Sequence, residues 1–107
     1  MVVKNAPRLS FQTLRVLQLF VADPTAELAG IELLKHTQIA SGTLYPILGR
    51  LEEADWLQSR WEKIDTTAEK RPRRRYYSIT PLGIRSASSI LAKLSIGKIE
   101  TTGLAPA

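Results

Sequence analysis

The chain has 107 residues, a net charge of +5 and a pI of about 9.9. That length suits one domain with a real core and leaves little room for a second domain or an active-site cleft. Without cysteine, disulfides, thiol catalysis and cysteine-ligated zinc are excluded, and the basic balance favours an anionic partner. No apolar run reaches the roughly 18 residues of a membrane span, and the first seven residues lack the apolar core of a signal peptide. The expected location is therefore cytoplasmic.

Residues 1–8 read as a flexible N-terminus. Ser10 is placed to cap a first helix, in which Phe11, Leu14, Leu17 and Val21 share one face and Phe20 widens it. Asp23-Pro24 ends that helix, because the residue before proline is pushed out of the α region. Ala26 to Ala29 reads as a minor strand. Gly30 opens a second helix carrying Ile31, Leu33, Leu34 and His36, and Thr37 to Ala40 form a turn.

Ser41 is the expected cap of a third helix, with Leu44, Ile47, Leu48 and Leu51 as its buried stripe. Ser41, Gly42, Thr43, Tyr45 and Arg50 are left on or beside its exposed face. Pro46 removes a backbone donor near the start and predicts a distorted opening turn. Asp55 occupies the helix stop, where glycine is usual and Asn or Asp come next.

Two strands follow, Trp56 to Ile64 and Arg73 to Ile79, joined by a loop from Asp65 to Pro72. Lys70, Arg71, Arg73, Arg74 and Arg75 place five cations in six positions, and a polyanion relieves such crowding. Thr80-Pro81 is a strong helix start. The fourth helix carries Ile84, Ala87, Ile90, Leu91 and Leu94, with Ile96 near its end, an apolar stripe that self-association could bury. Fraying is expected from Gly97, with residues 99–107 as a flexible tail.

The order of helix, charged hairpin and helix predicts a winged helix-turn-helix. It is mainly α with a small β-hairpin (α+β): about four helices plus a two- to three-stranded wing sheet. The expected divisions are 9–79 for the DNA-binding domain and 80–98 for a C-terminal dimerisation helix built on Ile84, Ala87, Ile90, Leu91 and Leu94. In this architecture the N-terminal residues of the third helix face base edges in the major groove, and the wing lies on the phosphate backbone or in the minor groove. Trp56 reads as a core anchor, and Trp61 as either an anchor or part of a ligand pocket. Catalysis finds little support. His36 has no second histidine or cysteine to share a metal, and the chain has neither a phosphate-cradling glycine loop nor a GxSxG elbow.

Gly30-Ile31-Glu32-Leu33, Gly42 to Leu48 (GTLYPIL), Arg50-Leu51-Glu52 and Arg75 to Gly83 (RYYSITPLG) resemble the PadR-like transcriptional regulators, over roughly Leu14 to Ala92. The resemblance implies a homodimer that binds a palindromic operator in double-stranded DNA, commonly as a repressor. It also implies that Thr43, Tyr45 and Pro46 stand at the DNA-facing end of the recognition helix and that the C-terminal helix dimerises. No cofactor, metal or catalytic residue is expected, and a small-molecule effector stays open because the fourth helix lacks the aromatic residue that binds planar ligands in some relatives. Two other readings share the fold: an architectural or replication DNA-binding protein of a phage or plasmid, and a winged-helix protein-interaction module.

Overall fold

In the computed structural model the described residues form five helices and a three-stranded sheet. Pro7 and residues 9–103 are described, with side chains described as far as Leu94. The expectations for residues 1–6, Arg8, residues 104–107 and the Ile96 side chain lie outside that range.

Helix α1 covers Phe11–Ala22. Ser10 caps it, its Oγ accepting the Thr13 N–H at 3.1 Å, and the helix stops at Asp23 as the following proline requires. Its inward face is rotated from the expected one. Thr13, Val16, Leu17 and Phe20 are buried, whereas Phe11 is 75% exposed. The hydroxyl of Thr13 lies 2.9 Å from Ser10 Oγ, so a polar side chain can be enclosed there without an orphaned group.

Strand β1 is only Leu28–Ala29 and leads directly into helix α2, Gly30–Thr37. Glu32 reaches back from the first turn of α2 to accept the Ala29 N–H at 2.7 Å. At the other end the buried Thr37 hydroxyl donates to Leu33 O at 2.7 Å and accepts the Ile39 N–H at 3.2 Å. Gln38 takes the left-handed conformation, φ 59°, and turns the chain toward the next helix.

Helix α3 covers Ser41–Glu53. Ala40, not Ser41, is its N-cap, and no side chain caps it. Ser41 is already helical, which turns its hydroxyl outward. Pro46 stands inside an unbroken α-helix rather than a distorted turn. An i→i+3 bond at the start, Thr43 N to Ala40 O at 2.9 Å, runs alongside a regular Leu44 N to Ala40 O bond of the same length. Leu44, Ile47, Leu48 and Leu51 are buried as their spacing requires.

The end of α3 is a Schellman motif. Trp56 N–H donates to Leu51 O at 2.9 Å and Asp55 N–H to Glu52 O at 3.0 Å, with Asp55 at φ 65°. Strand β2 therefore begins at Leu57 and ends at Trp61, shorter than the expected Trp56–Ile64. The wing loop contains one helical turn, α4 (Thr66–Glu69), where the sequence suggested loop alone. Asp65 Oδ1 caps it by accepting the Thr67 and Ala68 N–H groups. Strand β3, Arg75–Ile79, is central in the order β1-β3-β2 and antiparallel to both neighbours. Ser59 pairs with Tyr77 and Trp61 with Arg75.

Thr80 caps helix α5, Pro81–Gly103, its Oγ1 accepting the Gly83 N–H at 3.0 Å while its hydroxyl donates to Asp55 O at 2.6 Å. The helical backbone continues past Gly97, where fraying was expected. A Cβ at Gly83 would sit 2.1 Å from Trp56 O, so only glycine allows this approach. Val16, Leu17, Phe20, Leu33, Leu44, Leu48, Leu51, Leu57, Tyr77, Ile79 and Ala87 form one core, with Trp56 packed half-buried against it.

Asp55 carries a side chain in a conformation that costs an L-residue roughly 1–2 kcal/mol, an expense partly returned by the entropy glycine loses on folding. Asp55→Gly is expected to raise stability by a few tenths to about 1 kcal/mol, about 1–5 °C in Tm. A melting temperature equal to or below the parent's would contradict this account of the turn.

Candidate nucleic-acid interface

The expected reading face is on the outside. Ser41, Gly42, Thr43, Tyr45, Pro46 and Arg50 are all exposed, because the four leucine and isoleucine side chains of α3 hold the opposite face in the core. A Cβ at Gly42 would meet nothing within 4 Å, so this chain's own packing does not need the glycine. Its bare backbone leaves space for a molecule to approach the first turn of α3 closely. Tyr45 is 45% exposed, and its ring lies over the start of α2. A Cβ at Gly30 would come within 2.6 Å of the Tyr45 hydroxyl, so the small residue at 30 seats the ring. Arg50 makes no ion pair with Glu52 or Glu53.

The five wing cations divide into two groups. Arg71 forms a two-pronged pair with Glu62, at 2.8 and 2.9 Å, and Glu62 Oε1 also accepts the Arg74 backbone N–H at 3.1 Å. Arg75 lies between the sheet and α3. It donates to Ser59 Oγ at 2.9 Å and to Glu52 at 3.1 Å, while Ser59 donates to Glu52 at 2.6 Å. Its guanidinium also stands 5.5 Å from the Trp61 ring centroid and 5.7 Å from that of Tyr77. These two arginines hold the wing to itself and to α3. Arg73 and Arg74 are exposed and make no ion pair among the described residues, and the exposed Lys70 takes φ 55° behind α4. One further pair, Arg60 with Glu27, ties the outer strand to the segment before β1 at 2.7 and 2.8 Å.

A concavity of about 560 Å³ lies between these parts. Ile31, Tyr45, Trp61 and Tyr77 line its apolar side, and Arg71, Arg73, Arg74 and Arg75 its charged side, with no carboxylate in the wall among the described residues. Tyr77 is buried, and burial pushes its phenol pKa up. Trp61 is 56% exposed and belongs to this wall rather than to the core. Register could have shown this. Trp61 shares a face with Leu57 and Ser59 but pairs with Arg75 at the wing end of the sheet, beyond the core positions.

The expected dimerisation residues differ in their surroundings. Ala87 is fully enclosed in the chain's own core and Ile84 packs against it, since α5 lies against α1. Ile90 and Leu91 are half-buried, and Leu94 is 50% exposed. His36 is an exposed residue in the last turn of α2. Among the described residues no three His, Asp or Glu side chains gather to hold a metal, and no helix is long and apolar enough to cross a membrane.

Residues 27–89 match the sequence model of the transcriptional regulator PadR-like family. No curated protein sequence matches the chain. Among solved structures, a PadR-like transcriptional regulator of Bacillus cereus superposes with a TM-score of 0.66 at 21% identity, over 89% of this chain and 91% of that one. MepR of S. aureus in its DNA-binding conformation gives 0.69 at 17% identity, over 92% and 66%. The adhesin competence repressor of Streptococcus pyogenes gives 0.66 at 18%, over 91% and 64%. The chain thus spans about two thirds of the length of MepR and of the adhesin competence repressor. At these identities the likeness establishes a shared winged-helix fold.

The Glu62 carboxyl is held at about 2, well below its ordinary 4.5, first by the Arg71 guanidinium and then by the Arg74 N–H, against the cost of desolvation. A depressed carboxyl stabilises the wing fully above its unfolded value and loses that contribution as pH falls through the folded one. Hydrogen-exchange protection of the Arg74 amide is therefore expected to be constant from pH 7 to 5 and to fall between 4.5 and about 2. Glu62→Gln should remove that step. Protection already falling between pH 7 and 5 would show that another group holds the wing.

Proposed function

Because the chain belongs to the PadR-like family of transcriptional regulators, we propose that it binds double-stranded DNA sequence-specifically as a homodimer and acts as a repressor. The observation that carries the proposal is the concavity that joins Tyr45 of the recognition helix to Arg73 and Arg74 of the wing, where the described residues supply these two arginines with no ion pair and the wall with no carboxylate. A duplex offers what this surface lacks: a continuous line of phosphates beside a groove of readable edges.

The reading end of α3 supplies Ser41 and Thr43 hydroxyls, the bare Gly42 backbone and the Pro46 ring, with Tyr45 beside them. Hydroxyls and a phenol suit phosphates and base edges, and Arg50 further along suits a phosphate or a guanine. Lys70, Arg73 and Arg74 follow the backbone next to the groove. Arg71 and Arg75 serve the same function indirectly, by holding the wing at a set angle to α3.

Self-association draws on the apolar surface left at the two helices that pack together. Leu9 before α1, Phe11 at its start, and Leu82 and Leu94 on α5 are exposed. Leu94, with Ile90 and Leu91, belongs to the proposed dimer face, and Ala87 supports it from inside the core. Two recognition helices would then enter successive major grooves roughly 34 Å apart. The repressor reading takes support from the adhesin competence repressor, named for that role. An effector molecule remains compatible with this scheme.

Binding-site selection from random duplex DNA at physiological salt tests the proposal. A palindromic consensus with half-sites about one turn apart is the expected result, and recovery of no consensus would sink it. Deleting the gene should raise transcription next to the selected site if the protein represses. With about 6–10 phosphate contacts per dimer, affinity should fall on the order of 10³- to 10⁵-fold between 50 and 200 mM salt.

Replacing Arg73 and Arg74 by alanine should reduce the slope of log affinity against log salt by about 0.9 for each phosphate no longer neutralised. An unaltered slope would remove those side chains from the backbone contact. Leu94→Arg should convert the dimer to monomer in sedimentation and weaken operator binding about tenfold or more, 1.4 kcal/mol per decade. A dimer that survives the substitution would place the interface elsewhere.

A further inference from the structure

Trp61 is a large apolar side chain that the core does not use. It is 56% exposed at the wing end of β2, in a wall that also contains Ile31 and Tyr45, themselves 52% and 45% exposed. Exposed apolar surface rimmed by charge marks a contact site. The indole is not loose. The Arg75 guanidinium lies 5.5 Å from its ring centroid, and Arg75 is itself fixed by Ser59 and Glu52. A side chain ordered in advance has less freedom to lose on binding.

The occupant must be anionic and must also offer apolar surface. Arg73 and Arg74, which make no ion pair among the described residues, line the concavity with no described carboxylate beside them, and the other two arginines of the wall are already neutralised. Glu32 accepts the Ala29 N–H, Glu62 holds Arg71, and Glu52 holds Arg75. A nucleic-acid strand meets both requirements in alternation, with a deoxyribose between successive phosphates. The wall also runs from the wing to Tyr45 on the recognition helix, the two elements a single duplex would contact together.

We propose that Trp61 is a DNA-contacting residue: its exposed indole face packs on a deoxyribose of the strand crossing the concavity between α3 and the wing, and Arg73 and Arg74 take the phosphates flanking that sugar. This rests on the duplex-binding reading above and adds a contact that carries no charge. Because the contact is to sugar, it operates on any sequence.

A random-sequence duplex of about 30 base pairs, three helical turns, at 50 mM salt is therefore a sufficient probe for the 107-residue chain. Trp61→Ala should weaken binding about tenfold and leave the salt slope at the parent value, since counterion release is unchanged. Trp61→Phe should restore most of the affinity. Fluorescence of the parent minus that of Trp61→Phe reports the indole, and acrylamide should reach it less readily in the saturated complex. The Phe variant and the quenching still decide the matter if the Ala variant melts early. Parent-like affinity in Trp61→Ala, a reduced salt slope, or an indole as accessible in the complex as in the free protein would each overturn the contact while leaving duplex binding intact. A parent protein that binds no duplex at all would overturn both.

Discussion

Everything in this domain turns on the junction where α3 ends. Asp55, in the left-handed conformation, reverses the chain so that Trp56 can hydrogen-bond back to Leu51. The carbonyl groups of Asp55 and Trp56 then both receive the Thr80 hydroxyl, and Trp56 O also receives the Thr80 N–H at 3.0 Å. Gly83, lacking a Cβ, lets α5 close over the same carbonyl. One short turn thus sets the exit of α3, the entry to the wing and the start of the long helix. A change in its geometry would move the exposed face of α3 relative to the wing and the proposed dimer helix together.

A second constraint lies across the sheet. The wing is a hairpin with little core of its own, and an isolated hairpin is marginal in water. Its rigidity comes from polar pairs: Glu62 binds Arg71 and the Arg74 amide at the outer end, and Glu52 binds Arg75 and Ser59 at the inner end. Such partly exposed pairs contribute modestly to global stability. Their effect is local, on the angle and order of the wing. Five adjacent cations therefore do two different jobs, and charge density alone does not distinguish them.

The helices were legible because their signals are local. Ser10, Asp23-Pro24 and Thr80-Pro81 satisfy or deny backbone hydrogen bonds within a few residues, and the Leu44-Ile47-Leu48-Leu51 stripe has a single buried solution. The stop at Asp55 was legible for the same reason. Where the reading went astray, the deciding partner was distant or the competition close. The face of α1 turned so that Val16, not Phe11, met the core. Ala40 displaced Ser41 as the cap. Pro46 was absorbed, because the only hydrogen bond it forfeits lies in the first turns of the helix, near donors already without partners.

By itself the sequence determined the order of the elements apart from α4, the apolar stripe of α3, the outward placing of Ser41, Thr43 and Arg50, and the concentration of charge in the wing. These follow from periodicity, capping and composition, which act over a turn or less. Only the tertiary structure decided which arginines face outward, because Arg71 and Arg75 find carboxylates 9 and 23 residues away. It also decided that Ala87 belongs to the chain's own core and that Trp61 belongs to a surface wall. A side chain's role depends on what packing brings beside it, and that pairing is not written within reach of its own segment.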